Sequence, residues 1–190
     1  MAARNSPFLS VDEFLDAEER AETQHRCYDG EIVEIEGSSP EHAFLRSHVC
    51  GKLHGALRGR GGRVVGANLM LRTGSKRMFV YPDVMVFHGP VETMEGRPNV
   101  VTNPVFVAEV LSPETEGFDR GAAAHEYRWT PSISQYALIS MDRPMVEIHT
   151  RAENGQWWIS EVIGLDADCA FSSLECSVPM AALYEGVLES

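Results

Sequence analysis

Two carboxylates stand in runs that are otherwise apolar. Asp83 heads Asp-Val-Met-Val-Phe87, and Glu109 interrupts Val105-Phe-Val-Ala-Glu-Val-Leu111. A carboxylate among aliphatic neighbours is costly to bury unless it is hydrogen-bonded, paired with a cation or bound to a metal. On neighbouring strands the two would converge on a hard, oxygen-seeking cation such as Mg²⁺ or Mn²⁺, with water and a backbone carbonyl completing the shell. The alternative from position alone leaves Asp83 partly wet at a strand entrance and Glu109 paired with a nearby arginine.

The elements that would position them follow from pattern. Ser10-Val-Asp-Glu13 has the form of a capping box and starts a short helix to about Arg20. Tyr28-Asp-Gly-Glu31 places a turn dipeptide before Ile32, Val33 and Ile35 and predicts a small hairpin. Ser38-Ser-Pro-Glu41 opens a second helix in which Phe44, Leu45, Val49, Leu53 and Leu57 recur at helical spacing, until the glycines around Gly59 end it. Val64-Val65, Leu69 to Leu71, Met78 to Tyr81, Asp83 to Phe87 and, after a loop, Val105 to Leu111 are strand-like. Their apolar continuity suits strands buried on both faces, with helices packed against the sheet. Asp119 can cap a third helix through about Trp129, and Gln135 to Ile139 reads as the next core strand. Val146 to His149 and Trp157 to Val162 form a late hairpin around Asn154-Gly155, and Val178 to Leu183 a terminal helical turn. The expectation is a mixed α/β (α+β) sheet with flanking helices, in one domain over residues 1–190 with its core at about 10–185.

Composition narrows the class. The apolar and charged fractions are those of a globular chain. No apolar run approaches the roughly 18 residues of a membrane-spanning helix, and Met1 to Pro7 lacks the apolar stretch of a signal peptide, so the expected address is the cytoplasm, without a membrane partner. Cys27, Cys50, Cys169 and Cys176 fall into no zinc or disulfide spacing and are expected to be reduced. The net charge of -12 opposes a polyanionic partner, yet no Asp or Glu occurs from Ala43 to Pro82, a stretch that holds eight of the sixteen Lys and Arg residues. Arg58, Arg60, Arg63, Arg72, Lys76 and Arg77, with His42 near the second helix start, are the candidate nucleic-acid contacts. The competing account makes them solvated cations at the edges of a helix and two strands.

Asp-Gly-Glu-Ile-Val at 29 to 33, Ser-Pro-Glu-His at 39 to 42, Tyr-Pro-Asp-Val at 81 to 84, Glu-Val-Leu-Ser-Pro-Glu-Thr at 109 to 115, Asp-Arg-Gly at 119 to 121 and Tyr-Ala-Leu-Ile at 136 to 139 keep a fixed order. That order resembles the Uma-two type of restriction-endonuclease-like proteins, within the PD-(D/E)XK nuclease-like superfamily, from about Ser10 to Glu185. The resemblance implies a restriction-endonuclease-like core, Asp83 and Glu109 as catalytic metal ligands for Mg²⁺ or Mn²⁺, and DNA as the substrate. It also exposes departures. The superfamily commonly places a lysine two residues after the glutamate, where this chain has Leu111. In this branch the lysine looks to have moved two residues beyond the Asp-Arg-Gly glycine, where this chain has Ala123. Two residues ahead of the Tyr-Asp-Gly motif, a usual glutamate is Arg26, which could turn toward Glu109 or Asp83 as an ion pair or stand in for the missing cation.

Lesser candidates carry less. His42, His48 and His54 are separated by six-residue steps and form no stripe. Tyr127 could pack against the site or donate to it, and alternation in the late hairpin would bury one of Trp157 and Trp158 and expose the other. Two functions follow: a metal-dependent endonuclease on DNA phosphodiesters with impaired catalysis, or a catalytically inactive nuclease-fold module that binds nucleic acid or protein. A hydrolase of another phosphate ester is a distant third, and exposed late strands are compatible with a homodimer.

Overall fold

The computed structural model describes residues 10–188. The segment Met1 to Pro7, weighed above as a leader, lies outside those residues.

The chain opens with α1 (Val11–Glu18), and Ser10 and Glu13 close the expected capping box, Ser10 Oγ taking the Glu13 amide and Glu13 taking the Ser10 amide. Strands β1 (His25–Tyr28) and β2 (Glu31–Glu34) form the predicted hairpin, turning on Asp29 and Gly30, both at positive φ. Helix α2 (Pro40–Ala56) starts at Ser39, whose hydroxyl accepts the His42 amide, with proline in its first turn. There follow β3 (Gly62–Gly66), β4 (Met70–Arg72), β5 (Met78–Val80), β6 (Val84–His88), β7 (Thr93–Met94), β8 (Arg97–Val101) and β9 (Phe106–Leu111). A crossover runs through α3 (Glu116–Phe118), a π-helical segment (Asp119–Ala123) and α4 (Ala124–Trp129) into β10 (Gln135–Ser140). The chain ends in β11 (Met145–Arg151), β12 (Trp157–Ile163), β13 (Asp168–Phe171), β14 (Cys176–Pro179) and α5 (Met180–Leu183).

The strands make two mixed six-stranded sheets, with β13 and β14 as a separate pair. The larger core sheet has the order β12-β11-β10-β9-β6-β3, parallel only between β9 and β10, which the crossover helix joins. The second has the order β2-β1-β5-β4-β8-β7.

Alternation along β9 decides what each face meets. Phe106, Ala108 and Val110 pack with Leu45, Val49 and Leu53 of α2 and with the β13, β14 and α5 layer. Val107 and Leu111 face the other way, into a cluster with Ala123, Ala124 and Tyr127 of the crossover and with Leu71, Met78 and Val80 of the second sheet. Beyond that sheet, Phe14 and Leu15 of α1 cover Phe79, Met70 and Cys27. The apolar strands thus predicted cover on both faces correctly, but on one face a second sheet joins the helix. The residues between the β6 and β9 strands, read as a loop, include β7 and β8. Trp157 packs on Tyr136 and Arg151 but is only half-buried, while Trp158 stays 65 % exposed on the edge strand β12, so the expected alternation exposes one tryptophan without fully burying the other.

Glu126 fastens the crossover helix to the β4–β5 turn. It is buried and accepts Thr73 Oγ1 at 2.8 Å and the Ser75 hydroxyl, and the Gly74 amide donates to Thr130 Oγ1 at 2.9 Å. The turn passes so close that a Cβ on Gly74 would overlap the Trp129 carbonyl oxygen and lie 2.8 Å from Thr130 Cα. Two glycine-to-alanine changes should therefore move stability in opposite directions. Gly74→Ala should cost about 2 kcal/mol or more, because backbone must shift. Gly51→Ala, in α2 with open space around its Cβ, should add up to about 1 kcal/mol. Urea denaturation of both variants checks this, and a stability loss at Gly51 or a neutral Gly74→Ala would contradict the packing described.

Candidate functional site

Register brings the two carboxylates together. Antiparallel pairing opposes Val84 to Ala108, so the next rung opposes Asp83 to Glu109. Like charges directly opposite on one sheet face repel, and the ladder ends here. In its place each carboxylate takes a main-chain amide of the other strand: Asp83 N–H donates to Glu109 Oε2 at 2.9 Å, and Val110 N–H donates to Asp83 Oδ2 at 2.8 Å. The remaining Glu109 oxygen accepts the Tyr127 hydroxyl.

The two acids sit in different surroundings. Asp83 meets the first turns of α2, with His42 Nε2 3.3 Å from its Oδ2 and Arg46 Nη1 3.6 Å from its Oδ1. His42 Nε2 also lies 3.0 Å from the Val110 carbonyl oxygen, so that nitrogen carries the proton, while buried Nδ1 has no partner. Burial disfavours protonation of His42, but the hydrogen bond and charge of Asp83 outweigh it and raise its pKa. Glu109 is 7 % exposed, and burial, then the charges of Asp119 and Asp83, hold its pKa well above the usual carboxylate range. Burial and the adjacent Glu109 likewise push the Tyr127 hydroxyl up, which keeps it a donor.

Asp119 is the residue that sequence reasoning misplaced. The chain is already helical at Glu116, so Asp119 does not cap. It begins a π-helical turn, a local widening that recurs at functional sites, and its side chain is buried. Burial first and Asp83 next push its pKa to about 6, against the Thr115 hydrogen bond and the charge of Arg26. Tyr127, given little weight from sequence, directly orients Glu109. A helical spacing of four from Ala123 to Tyr127 was the available signal.

Ala123 is fully buried in the cluster that holds Leu111 and Tyr127, so both positions where a lysine was sought lie on Glu109's side of the sheet and carry no charge. Arg26 does not pair with Asp83 or Glu109. Its guanidinium lies 4.1 Å above the Phe118 ring and acts on Asp119 instead. Asp83 is the acid that has an arginine beside it, and that arginine is Arg46.

These groups line a cleft of about 870 Å³, along with Arg26, Ser38, Ser39, Ser112, Thr115 and Phe118. Of the candidate nucleic-acid contacts, His42 alone reaches it. Arg58 and Arg60 lie in the turn that follows α2 and Arg63 in β3, where it opposes Phe87 at the other end of β6. Arg72, Lys76 and Arg77 surround the β4–β5 turn, where Arg77 pairs with Asp29. A basic run in sequence is thus scattered over several layers in space.

The donor set suits a hard divalent ion. Asp83 and Glu109 supply carboxylate oxygens with lone pairs beyond those their hydrogen bonds use, and the charges of Asp119 and Asp83 bear on a buried Glu109. Among the described residues neither Glu109 nor Asp119 has an ion pair within 4 Å. No group of three or more His, Cys, Asp or Glu side chains is arranged to hold a metal among those residues, so water or backbone would complete the shell.

Known proteins resemble this chain along nearly its whole length. Two uncharacterized proteins of Synechocystis, sll1609 and slr1290, are 29 % identical over 175 residues and 27 % identical over 181. The first alignment covers 92 % of this chain and 99 % of that protein, the second 95 % and 94 %. A crystal structure from Anabaena variabilis, described as a "putative nuclease belonging to DUF820", superposes with a TM-score of 0.77 over 95 % of this chain and 99 % of that one, at 19 % identity. Residues 11–178 match the family described as "Putative restriction endonuclease". That match spans nearly all of the described residues, from α1 to β14, and the chain belongs to the Uma-two family.

Proposed function

We propose that the chain is one nuclease-like domain whose cleft hydrolyses DNA phosphodiesters with Mg²⁺ or Mn²⁺, at a rate held down by the missing lysine. The observation that carries this is the opposed pair of half-buried Asp83 and buried Glu109, at the end of a broken ladder and lining a cleft wide enough for substrate. In this account Asp83 and Glu109 hold the ion, Tyr127 fixes the Glu109 carboxylate, and His42 fixes Asp83. Bound there, the ion would acidify a water, polarise the scissile phosphate and offset charge on the leaving oxygen. No cationic side chain at 111 or 123 is present to orient that water or stabilise the phosphate, which is where a lysine contributes. Support for DNA as the substrate comes from the family match. A homodimer joined through β12, where Trp158, Ile159 and Ile163 are exposed, would present two such clefts to a two-fold duplex.

One observation favours a second function. Ala123 and Leu111 are both uncharged and fully packed, as expected of a fold kept for binding nucleic acid or protein after catalysis was lost.

The two functions separate experimentally. Asp83→Asn and Glu109→Gln should each weaken Mn²⁺ binding in calorimetry by at least about tenfold, the loss that even outer partners of a metal ligand produce. Wild-type protein should nick supercoiled plasmid slowly with Mn²⁺, and Ala123→Lys should raise that rate by about tenfold or more. Undetectable nicking in both proteins across several divalent ions, with Mn²⁺ binding intact, would leave the binding module as the function.

Protons should compete with the ion. Asp119, with its pKa raised from 3.8 to about 6, favours the metal-free fold most when protonated. That contribution is complete below about pH 4 and is lost as pH rises through about 6, so the metal-free protein should become less stable over this range. Asp119→Asn should flatten the trend in thermal melts, and Mn²⁺ should reverse it in the wild type. An unchanged slope in the variant would contradict the assignment.

A further inference from the structure

The cleft lacks a lysine but does not lack a cation. Arg26 and Arg46 are the Lys or Arg residues among those that line it. Arg26 is committed to the face of Phe118 and to Asp119. Arg46 is held differently. It stands four residues after His42 on one face of α2, so both side chains reach Asp83. Among the described residues its one close approach to an acid, Nη1 to Asp83 Oδ1 at 3.6 Å, is well beyond the roughly 2.7–2.9 Å of a charge-assisted hydrogen bond. Asp83 does not depend on it, because Oδ2 already takes the Val110 amide and neighbours His42. The guanidinium side chain is 31 % exposed at the cleft wall, with its fork of donors available.

Resting on the metal-dependent function above, we propose that Arg46 is a displaceable counter-ion. It balances Asp83 in the metal-free cleft and, once that charge is balanced by a divalent ion, turns its donors to a phosphate of the substrate. It thereby supplies from α2 the positive charge that Ala123, buried in the core cluster with Leu111 and Tyr127, cannot supply. The chemistry suits the residue: a planar guanidinium can take two phosphate oxygens at once, and its charge does not depend on pH in the working range. The same cation would then do opposite things to two ligands, competing with the metal for Asp83 and assisting the polyanion.

That opposition gives the test. Arg46→Gln should tighten Mn²⁺ binding in calorimetry about three- to tenfold, because a competing charge is removed. It should also weaken binding of a fluorescein-labelled DNA duplex in Mn²⁺, measured by anisotropy, by about tenfold, and reduce the salt dependence of that binding by about one phosphate contact. Arg46→Lys, which keeps the charge and the fold contacts of the stem, should match the wild type in Mn²⁺ affinity and retain most of the duplex affinity. Loss of both affinities in Arg46→Gln would make Arg46 a structural prop, and no change in either would make it a bystander; each overturns the proposal. So would a wild-type protein that binds duplex no better with Mn²⁺ than without it. Asp83→Asn separates this failure from that of the parent function. Mn²⁺ affinity unaffected by Asp83→Asn removes the metal site itself, whereas its loss there, beside an unchanged Arg46→Gln, removes the role of Arg46 alone.

Discussion

The site depends on one exchange of hydrogen bonds: Glu109 takes the amide of Asp83, and Asp83 takes the amide of Val110. Two strands that would otherwise zip together are held apart at their ends by side chains standing in for main-chain partners. The substitution satisfies buried amides that would each cost about 1–3 kcal/mol if left unpaired. It also sets two carboxyl groups side by side, where burial and the charge of Asp83 resist ionisation of Glu109. The stable fold and the unstable charge distribution have the same cause, and the rest of the site manages its consequence.

That management comes from three directions. Tyr127 reaches Glu109 from the crossover helix, itself fixed by Glu126 against the β4–β5 turn. His42 and Arg46 reach Asp83 from α2, which lies on the other face of the sheet. The π-helical turn brings in a third acid, Asp119, rather than a cation. Among the described residues no side chain of the second sheet hydrogen-bonds or ion-pairs with the two acids, yet that sheet packs on the crossover helix and so helps determine where Tyr127 stands.

Most of this architecture was legible in the sequence because its signals are local. The capping box at Ser10, the Asp29-Gly30 turn, the helical stripe of α2 and the apolar runs of β6, β9 and β10 all became the expected elements. The carboxylate pair was legible for a different reason, since each acid violates the apolar pattern around it. What escaped has no such mark. Strand β8 begins Arg97-Pro-Asn and has a half-wet pattern, and β7 is two residues long. Asp119 looked like a cap because a helical period of 3.6 does not reveal that a π turn will rotate it inward. Arg26 was left between an ion pair with the acids and a stand-in for the missing cation, because sequence cannot weigh an aromatic face such as Phe118 against a carboxylate. The basic run from Arg46 to Arg77 could not show that α2, β3 and the β4–β5 turn would carry its charges apart.

That scattering bears on what the cleft can accept. Its walls carry Glu36, Glu41, Asp83, Glu109, Glu114 and Asp119 against Arg26 and Arg46, on a chain of net charge -12. Such a wall repels a phosphate backbone over distances comparable to the Debye length, about 8 Å at physiological salt, whatever its shape. A polyanion can enter with favourable electrostatics only if cations arrive with it or before it. In a nuclease-like cleft that keeps its lysine, part of that charge is built into the protein and is present at all times. On the proposed function it would be supplied from solution or released from Arg46, and the uncharged side chain at position 123 would change more than the chemical step: occupancy of the acids by a cation would become the condition for substrate to approach.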